Sequence, residues 1–257
     1  MGEEKTEAGI GQIRAPRLAV AAILLALVAL LTLMASGLGT RLGLWQFRTG
    51  FTILKYGGFC GIVAGIVAIT AAVVYLRKRR ILGVFLALVA LCGGIVAIAL
   101  PMSWKSLARK VPPIHDISTD TINPPRFVAI LPLRQGAPNV ADYAGPAVAL
   151  LQRTAYPDIQ PLVVNLPFQQ AFDAAEKGAR SMGWRIVATA PAEGRIEATA
   201  TTFWFGFIDD VVVRLTPAGE RTIVDVRSVS RVGISDVGTN ARRIRAYLKI
   251  VAGMASG

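Results

Sequence analysis

Three long apolar runs within the first 101 residues constrain this chain more than any other feature. They are "LAVAAILLALVALLTLMASGLG" (Leu18 to Gly39), "GGFCGIVAGIVAITAAVVYL" (Gly57 to Leu76) and "ILGVFLALVALCGGIVAIALP" (Ile81 to Pro101), and none contains a charge. Each is about 20 residues long, enough to cross a hydrocarbon core of ~30 Å. None carries the polar face of a helix at the surface of a water-soluble core. The first run exceeds the apolar part of a cleaved signal peptide, about 7–15 residues, and two more runs follow it, so it reads as a retained anchor. The mean hydropathy of +0.52 and the 53% hydrophobic content agree.

The basic residues predict an orientation. "RKRR", Arg77 to Arg80, links the second and third runs. Positive charge concentrated in a short loop marks the cytoplasmic side. The N-terminus, with Arg14 and Arg17, then lies inside, and the loop Leu38 to Tyr56 and everything after Pro101 lie outside. Arg41, Arg48, Lys55, Lys105, Arg109 and Lys110 on the outer side weaken the bias without reversing it. Trp45 and Trp104 fall where interfacial aromatics belong. The expectation is a bacterial inner-membrane protein with several spans and a periplasmic C-terminal domain.

The formal charge of +12 is partly a membrane signature. Residues 1–100 hold 10 Lys/Arg and 3 Glu, a net +7, which leaves 18 Lys/Arg and 13 Asp/Glu, a net +5, for residues 101–257. Outside the cytoplasm such charge points to anionic lipid heads, not to nucleic acid. Cys60 and Cys92 lie inside apolar runs and read as small packing residues. The part after the spans has no cysteine, hence no disulfide framework. His115 is the sole histidine, which excludes a histidine-built zinc site within one chain. No cofactor or metal is expected.

Residues 102–157 are rich in proline. The pairs Pro112-Pro113 and Pro124-Pro125 oppose regular helix, so an extended arm is expected, with a short helix near Pro146 to Thr154. His115 beside Asp116 reads as a polar loop contact, because no third partner is visible.

Residues 158–257 read as a compact domain. "QPLVVNL" is a short strand. "LPFQQAFDAAEKGARSMG" is a helix started by Pro167 and stopped by Gly183, with Phe168, Ala171, Phe172, Ala175, Ala179 and Met182 on one apolar stripe. "WRIVATAP", "GRIEATATTFWF", "IDDVVVRLTP" and "RTIVDVRSVSRV" are strands. Asp236 to Ala252 is a final helix that Asp236 or Ser235 can cap, with Ile244, Leu248 and Val251 inward. The order β-α-β-β-β-β-α argues an α+β fold, an antiparallel sheet with both helices on one face.

The chemistry concentrates in "VRSVSRVGISDVGTNARRIR", Val226 to Arg245, and in the preceding Asp209-Asp210. Neighbours on a strand point to opposite faces, so the two carboxylates cannot act as one catalytic pair. Asp209 shares parity with Val211 and Val213, towards the helices. Asp210 shares parity with Arg214, on the other face. A hairpin folded about Ala218-Gly219 sets Val213 opposite Val224, Val211 opposite Val226, Asp209 opposite Ser228 and Asp210 opposite Arg227. Ser228 and Ser230 are either nucleophiles or hydrogen-bonding partners of the last helix, and no histidine or lysine stands near in sequence to activate them. Gly233 and Gly238 permit a left-handed turn. The amides there either bind an anion or are used by Asp236 or Asn240. Arg242, Arg243, Arg245 and Lys249 form a basic helix face, either solvated or docked on an anionic surface.

The stretch resembles the family catalogued as domain of unknown function 1499. The resemblance rests on the acidic pair Asp209-Asp210 and on the pattern RSxSRxGxxDxGxNxxRI. Arg227, Ser228, Ser230, Arg231, Gly233, Asp236, Gly238, Asn240, Arg243 and Ile244 fill that pattern. The arm segments "DISTD" and "YPDI" are similar to those of a membrane-anchored bacterial branch. A cysteine-containing "PNC" segment of other branches is absent here. The resemblance implies a fold and an envelope setting, and no activity. Two functions fit the residues. One is a non-enzymatic envelope module that binds a lipid, a glycan or a protein partner. The other is a hydrolase of a lipid or cell-wall substrate using Asp and Arg side chains.

Overall fold

The computed structural model describes residues 16–256. Arg14, one of the expected inside markers, lies outside them. Three long helices come first: α1 (Arg17–Arg41), α2 (Phe47–Arg77) and α3 (Ile81–Lys110). All three are long and apolar enough to cross a membrane. Contacts divide the chain into two units. One comprises the chain up to Ser36 with Gln46–Met102, and the other Gly37–Trp45 with Ser103–Gly257.

In the first unit small residues recur every three or four positions: Gly57, Gly61, Ala64, Ala68 and Ala71 on α2, then Gly83, Ala87, Ala90, Gly94 and Ala97 on α3, all buried. Apolar side chains gain nothing by leaving lipid for one another, so such helices associate through close backbone approach. Gly61 and Gly94 show why side chains are excluded. A Cβ on Gly94 would stand 2.9 Å from the Gly61 carbonyl oxygen, and one on Gly61 2.9 Å from the Ala97 Cβ.

Two expected boundaries move. α2 begins at Phe47, ahead of Gly57, and α3 continues through Pro101 to Lys110 where the extended arm was expected. A proline removes one helical hydrogen bond, and in long apolar helices local adjustment accommodates it. The residues after it, "MSWKSLARK", include good helix formers.

The second unit holds a six-stranded antiparallel sheet. Its strands are β1 (Asp116–Ser118), β2 (Leu162–Val164), β3 (Arg185–Ala190), β4 (Arg195–Thr201), β5 (Ile208–Ala218) and β6 (Arg221–Ser230). The spatial order is β1-β6-β5-β4-β3, with β2 also paired to β6. α4 (Pro146–Ala155) precedes β2, α5 (Phe168–Ser181) follows it, and α6 (Thr239–Ala255) ends the chain. From β2 onward the order is the expected β-α-β-β-β-β-α. The short helix near Pro146 is also present.

One face of the sheet is apolar. Ile196, Ala198, Val211, Val213, Leu215, Val224 and Val226 pack there with Ala171, Phe172, Ala175 and Ala179 of α5 and Ile244 and Val251 of α6. Tyr247, fully buried, stacks on Trp184 at 4.8 Å between ring centroids and donates to the Ala175 carbonyl at 2.9 Å. Burial pushes its phenol far above the ordinary range.

The opposite face is covered by the proline-rich arm. β1 pairs with Arg227 to Val229 of β6, and Phe127 and Ile130 pack on Val212 and Val229. The far edge of β1 does not end in open backbone. The Gln152 side chain accepts from the Ser118 amide (3.0 Å) and donates to the Ser118 carbonyl (2.6 Å), closing an edge that would otherwise be free to pair.

The hairpin register differs from expectation by two residues. Ala218 pairs with Arg221, Val213 with Val226, Val211 with Ser228, Asp210 with Val229 and Asp209 with Ser230. Gly219, at φ +67°, and Glu220 form the two-residue turn, not Ala218 and Gly219. A left-handed residue suits the tight turns that match strand twist. A slip of two keeps every side chain on its face, so the face assignments survive while the partners change.

The arm thus adds a strand and a lid to the sheet. A soluble Ser103–Gly257 fragment is expected to fold with a cooperative denaturant transition, and a Pro157–Gly257 fragment to melt at lower denaturant or bind hydrophobic dyes. Equal midpoints for the two would show that the arm adds no stability.

Candidate functional site: a two-sided polar latch

Asp209 and Asp210 leave β5 in opposite directions, as strand geometry requires. Two polar clusters result, one on each side of the sheet.

On the helix side, Asp209 accepts from Arg243 Nη2 at 2.6 Å. Arg243 Nη1 donates to Ser228 Oγ at 3.1 Å and also to Asn240 Oδ1. Ser228 Oγ donates to Asn240 Oδ1 at 2.8 Å. Asn240 Nδ2 donates to Ser230 Oγ (3.1 Å) and to the His115 carbonyl (3.0 Å). The first turn of α6 is thereby tied to β5, β6 and the start of β1. Asp209 is 2% exposed and Ser228 and Asn240 are fully buried, so each must find partners inside the protein.

The turn into α6 explains the glycines. Gly233 and Gly238 have φ of +96° and +73°, and Val237 also lies at +53°. A Cβ on Gly238 would stand 3.2 Å from Arg242 Nη1 and 3.4 Å from the Tyr156 hydroxyl. The Asp236 carboxylate accepts from the Gly238 amide (2.9 Å) and the Asn240 amide (2.6 Å). Of the two uses foreseen for these amides, an external anion or a side chain of the turn, the second occurs. Burial pushes the Asp236 carboxyl above its ordinary 3.8, against the pull of those amides.

On the arm side, Asp210 does not pair with Arg227. It accepts from Arg134 Nη1 (2.5 Å) of the arm and, through both oxygens, from Arg231 (2.8 and 2.9 Å). Arg227 instead forms a bidentate pair with Asp116 of β1, at 2.7 and 2.9 Å. Its guanidinium lies 5.2 Å from the Phe127 ring and 5.3 Å from the Tyr143 ring, and Nη2 donates to the Ala141 carbonyl at 2.7 Å. The two-residue slip moves Arg227 away from Asp210 and beneath the arm. Burial raises the Asp116 carboxyl, with Arg227 pulling it back. Burial also pushes the Tyr143 phenol up to about 12.

Two further carboxylates complete this layer. Glu197 of β4, fully buried, accepts the amides of Val128, Ala129 and Ile130 at 2.9–3.1 Å and pairs with Arg195. Asp225 takes Thr119 Oγ1 (3.0 Å) and Arg214 (2.8 Å). Sequence reasoning missed Asp116, Arg134 and Glu197 as members. The parity of Glu197 on its strand was readable, but the partners that these three residues meet between arm and sheet lie 67 to 111 positions away.

This arrangement limits the chemistry. Ser228 and Ser230 are held by Asn240, and the one imidazole of the chain is engaged elsewhere. The His115 Nδ1 lies 3.3 Å from the Ile234 carbonyl, and its neighbour Asp116 points to Arg227. The basic helix face divides. Arg243 is buried in the latch, Arg245 pairs with exposed Asp158 at 2.5 Å, and Arg242 meets the Val237 carbonyl and the Thr239 hydroxyl, both at 3.1 Å. An open cleft of about 330 Å³ lies beside this helix start, bordered by Trp184, Thr201, Thr239, Arg242 and Arg243. No carboxylate lines it among the described residues.

Comparison with known proteins adds a family. The family model described as "Protein of unknown function (DUF1499)" matches residues 116–251. The match therefore begins at β1 and takes in the arm. None of the curated proteins matches the sequence. Among solved structures, the crystal structure of TTHA0849 from Thermus thermophilus is similar to 37% of this chain and 94% of its own, at 12% identity and a TM-score of 0.25. A likeness that slight carries no argument about this chain.

If the helix-side cluster is a latch, Arg243→Ala strands a buried carboxylate and should cost about 3–5 kcal/mol in denaturant melts of the Ser103–Gly257 fragment. Removing the carboxylate that accepts the Gly238 and Asn240 amides, with Asp236→Ala, should cost about 1–3 kcal/mol. The pH dependence has a defined sign. The folded chain holds the Asp236 proton better than the unfolded one, so this group's contribution falls as pH rises from 3.8 through the folded value. Asp236→Asn, which keeps an acceptor for the amides, should flatten that fall. An unchanged slope would mean that Asp236 is not the group responsible.

Proposed function

From a chain that belongs to the DUF1499 family of proteins of unknown function, we propose a non-enzymatic module of the bacterial cell envelope. Its three apolar helices anchor it in the inner membrane with the N-terminus cytoplasmic. Its α+β domain lies on the periplasmic side and binds an anionic envelope component, such as a lipid head group or an acidic partner protein.

One observation carries this reading. The ionisable groups of the motif are paired with one another under cover, while the open cleft is bordered by a cation. Asp209, Asp210 and Arg227 are at most 2% exposed. A general acid or base has to reach the proton it transfers, and these buried groups are taken up by partners inside the protein. Arg242, by contrast, is exposed and engages a carbonyl and a hydroxyl, which leaves its charge available to an anion. Trp184 beside it offers an apolar wall. The same geometry disfavours the hydrolase reading, since no carboxylate lines the cleft among the described residues and Asp209 and Asp210 are buried.

Orientation is tested by fusions. Alkaline phosphatase after Lys110 should be active and a fusion within Arg77 to Arg80 silent, and the reverse pattern would overturn the topology. Binding is tested by purifying the full chain from native membranes beside an Arg242→Glu variant, followed by lipid and protein mass spectrometry. Phosphate- or carboxylate-bearing species should accompany the native chain and be depleted from the variant. Equal recovery from both would overturn the role of the cleft.

A further inference from the structure

The loop between β4 and β5, "TFWFGF" from Thr202 to Phe207, takes no part in the latch. It is closed on itself. The Thr202 amide donates to the Phe207 carbonyl and the Phe207 amide to Thr202 Oγ1, both at 2.8 Å. Gly206, at φ +69°, turns the chain. Phe205 stacks on Phe207 at 5.5 Å. A loop pinned this way presents Phe203 outward, and that ring is 86% exposed.

Within the same unit the loop packs on two segments continuous with apolar helices. Trp104, three positions beyond Pro101 in α3, meets Trp204 (6.0 Å, 72°) and Phe205 (6.3 Å, 64°) edge to face. The last turn of α1 supplies the rest. Arg41 Nη1 donates to the carbonyls of Thr202 (3.0 Å) and Phe203 (2.7 Å). The Trp204 ring occupies the space of an absent Gly37 side chain, since a Cβ there would lie 2.3 Å from Trp204 Cδ1. Trp204 Nε1 finds no acceptor among the described residues.

Gly37 belongs to the apolar run Leu18 to Gly39, and Trp104 follows the run that ends at Pro101 by three positions, so the loop packs on residues that adjoin two apolar runs in the chain. Trp and Phe are the side chains that gather at a bilayer interface. Leu42 and Leu44, 71% and 69% exposed in the turn after α1, belong to the same unit. Lys105, Arg109 and Lys110 on the end of α3 supply charge that anionic head groups would neutralise.

We propose that the 202–207 loop is an interfacial membrane anchor, in which Phe203 inserts among the head groups and upper acyl chains of the bilayer that the chain's own helices cross. This does not depend on the ligand of the Arg242 cleft. The loop adds a fourth attachment to the membrane, made by a β-hairpin turn instead of a helix.

The full chain with Cys60→Ser and Cys92→Ser, reconstituted in phosphatidylethanolamine–phosphatidylglycerol vesicles, allows a direct test. A polarity-sensitive fluorophore on Phe203→Cys is compared with one on Ile234→Cys, a position 80% exposed and remote in sequence from the loop. A nitroxide placed high on the lipid acyl chain should remove most of the Phe203 emission and little of the Ile234 emission, and aqueous iodide should do the opposite. Equal iodide quenching at both positions, with no lipid quenching at Phe203, overturns the proposal. A second measurement needs no cysteine change. The emission lost on Trp204→Phe should be quenched in the native chain by lipids brominated near the head group, and unquenched Trp204 emission overturns it equally.

Discussion

Arg227 lies on a central strand, 2% exposed, with its guanidinium between two aromatic rings. A cation so placed is tolerable only if a carboxylate and further acceptors come with it. Asp116 supplies both carboxylate oxygens, and the carbonyls of Ala141 and Pro125 complete the shell. Every one of these groups belongs to the arm. The arm therefore cannot leave without giving up the bidentate partner of Arg227, and it also adds Arg134 to Asp210 beside Arg231 and three amides to Glu197 beside Arg195. The charged face of the sheet selects where a proline-rich segment with little secondary structure of its own must lie.

The helix side repeats the device on a smaller scale. Asp209 and Arg243 form its buried ion pair, and Asn240 satisfies Ser228 and Ser230 together. Adjacent aspartates thus bolt the two covering layers to the two faces of one sheet. In three dimensions the charged groups of the motif are paired on both faces of one sheet. What remains open to solvent is a cleft beside a helix start and an aromatic loop, and the functional proposals attach to those.

Much of this was legible in sequence, for identifiable reasons. Strand parity alone separates Asp209 from Asp210 and places Val211, Val213, Val224 and Val226 towards the helices. Pro167 and Gly183 bound α5 because one fits a helix start and the other, at φ +70°, a left-handed stop. The run lengths mark the three apolar helices. Partners were not legible. Moving the turn from Ala218-Gly219 to Gly219-Glu220 leaves every face unchanged and every neighbour wrong, and parity cannot detect a slip of two. Asp116, read as a loop residue beside His115, is in fact the counter-ion of Arg227, and only long-range pairing of β1 reveals it. Pro101 misled in another way, because a proline within an apolar helix need not end it.

The central claim is that buried ion pairs lock the arm onto the sheet. A double-mutant cycle on Asp116→Ala and Arg227→Ala in the Ser103–Gly257 fragment, read by denaturant melts, measures it directly. Each single change should cost about 3–5 kcal/mol, because it leaves the other charge buried alone. The double change should cost clearly less than the sum, and Asp210→Ala paired with Arg227→Ala should show the smaller coupling. Additive losses for Asp116 and Arg227, or single changes that cost no more than an exposed pair's roughly 0.2–1 kcal/mol, would contradict the account.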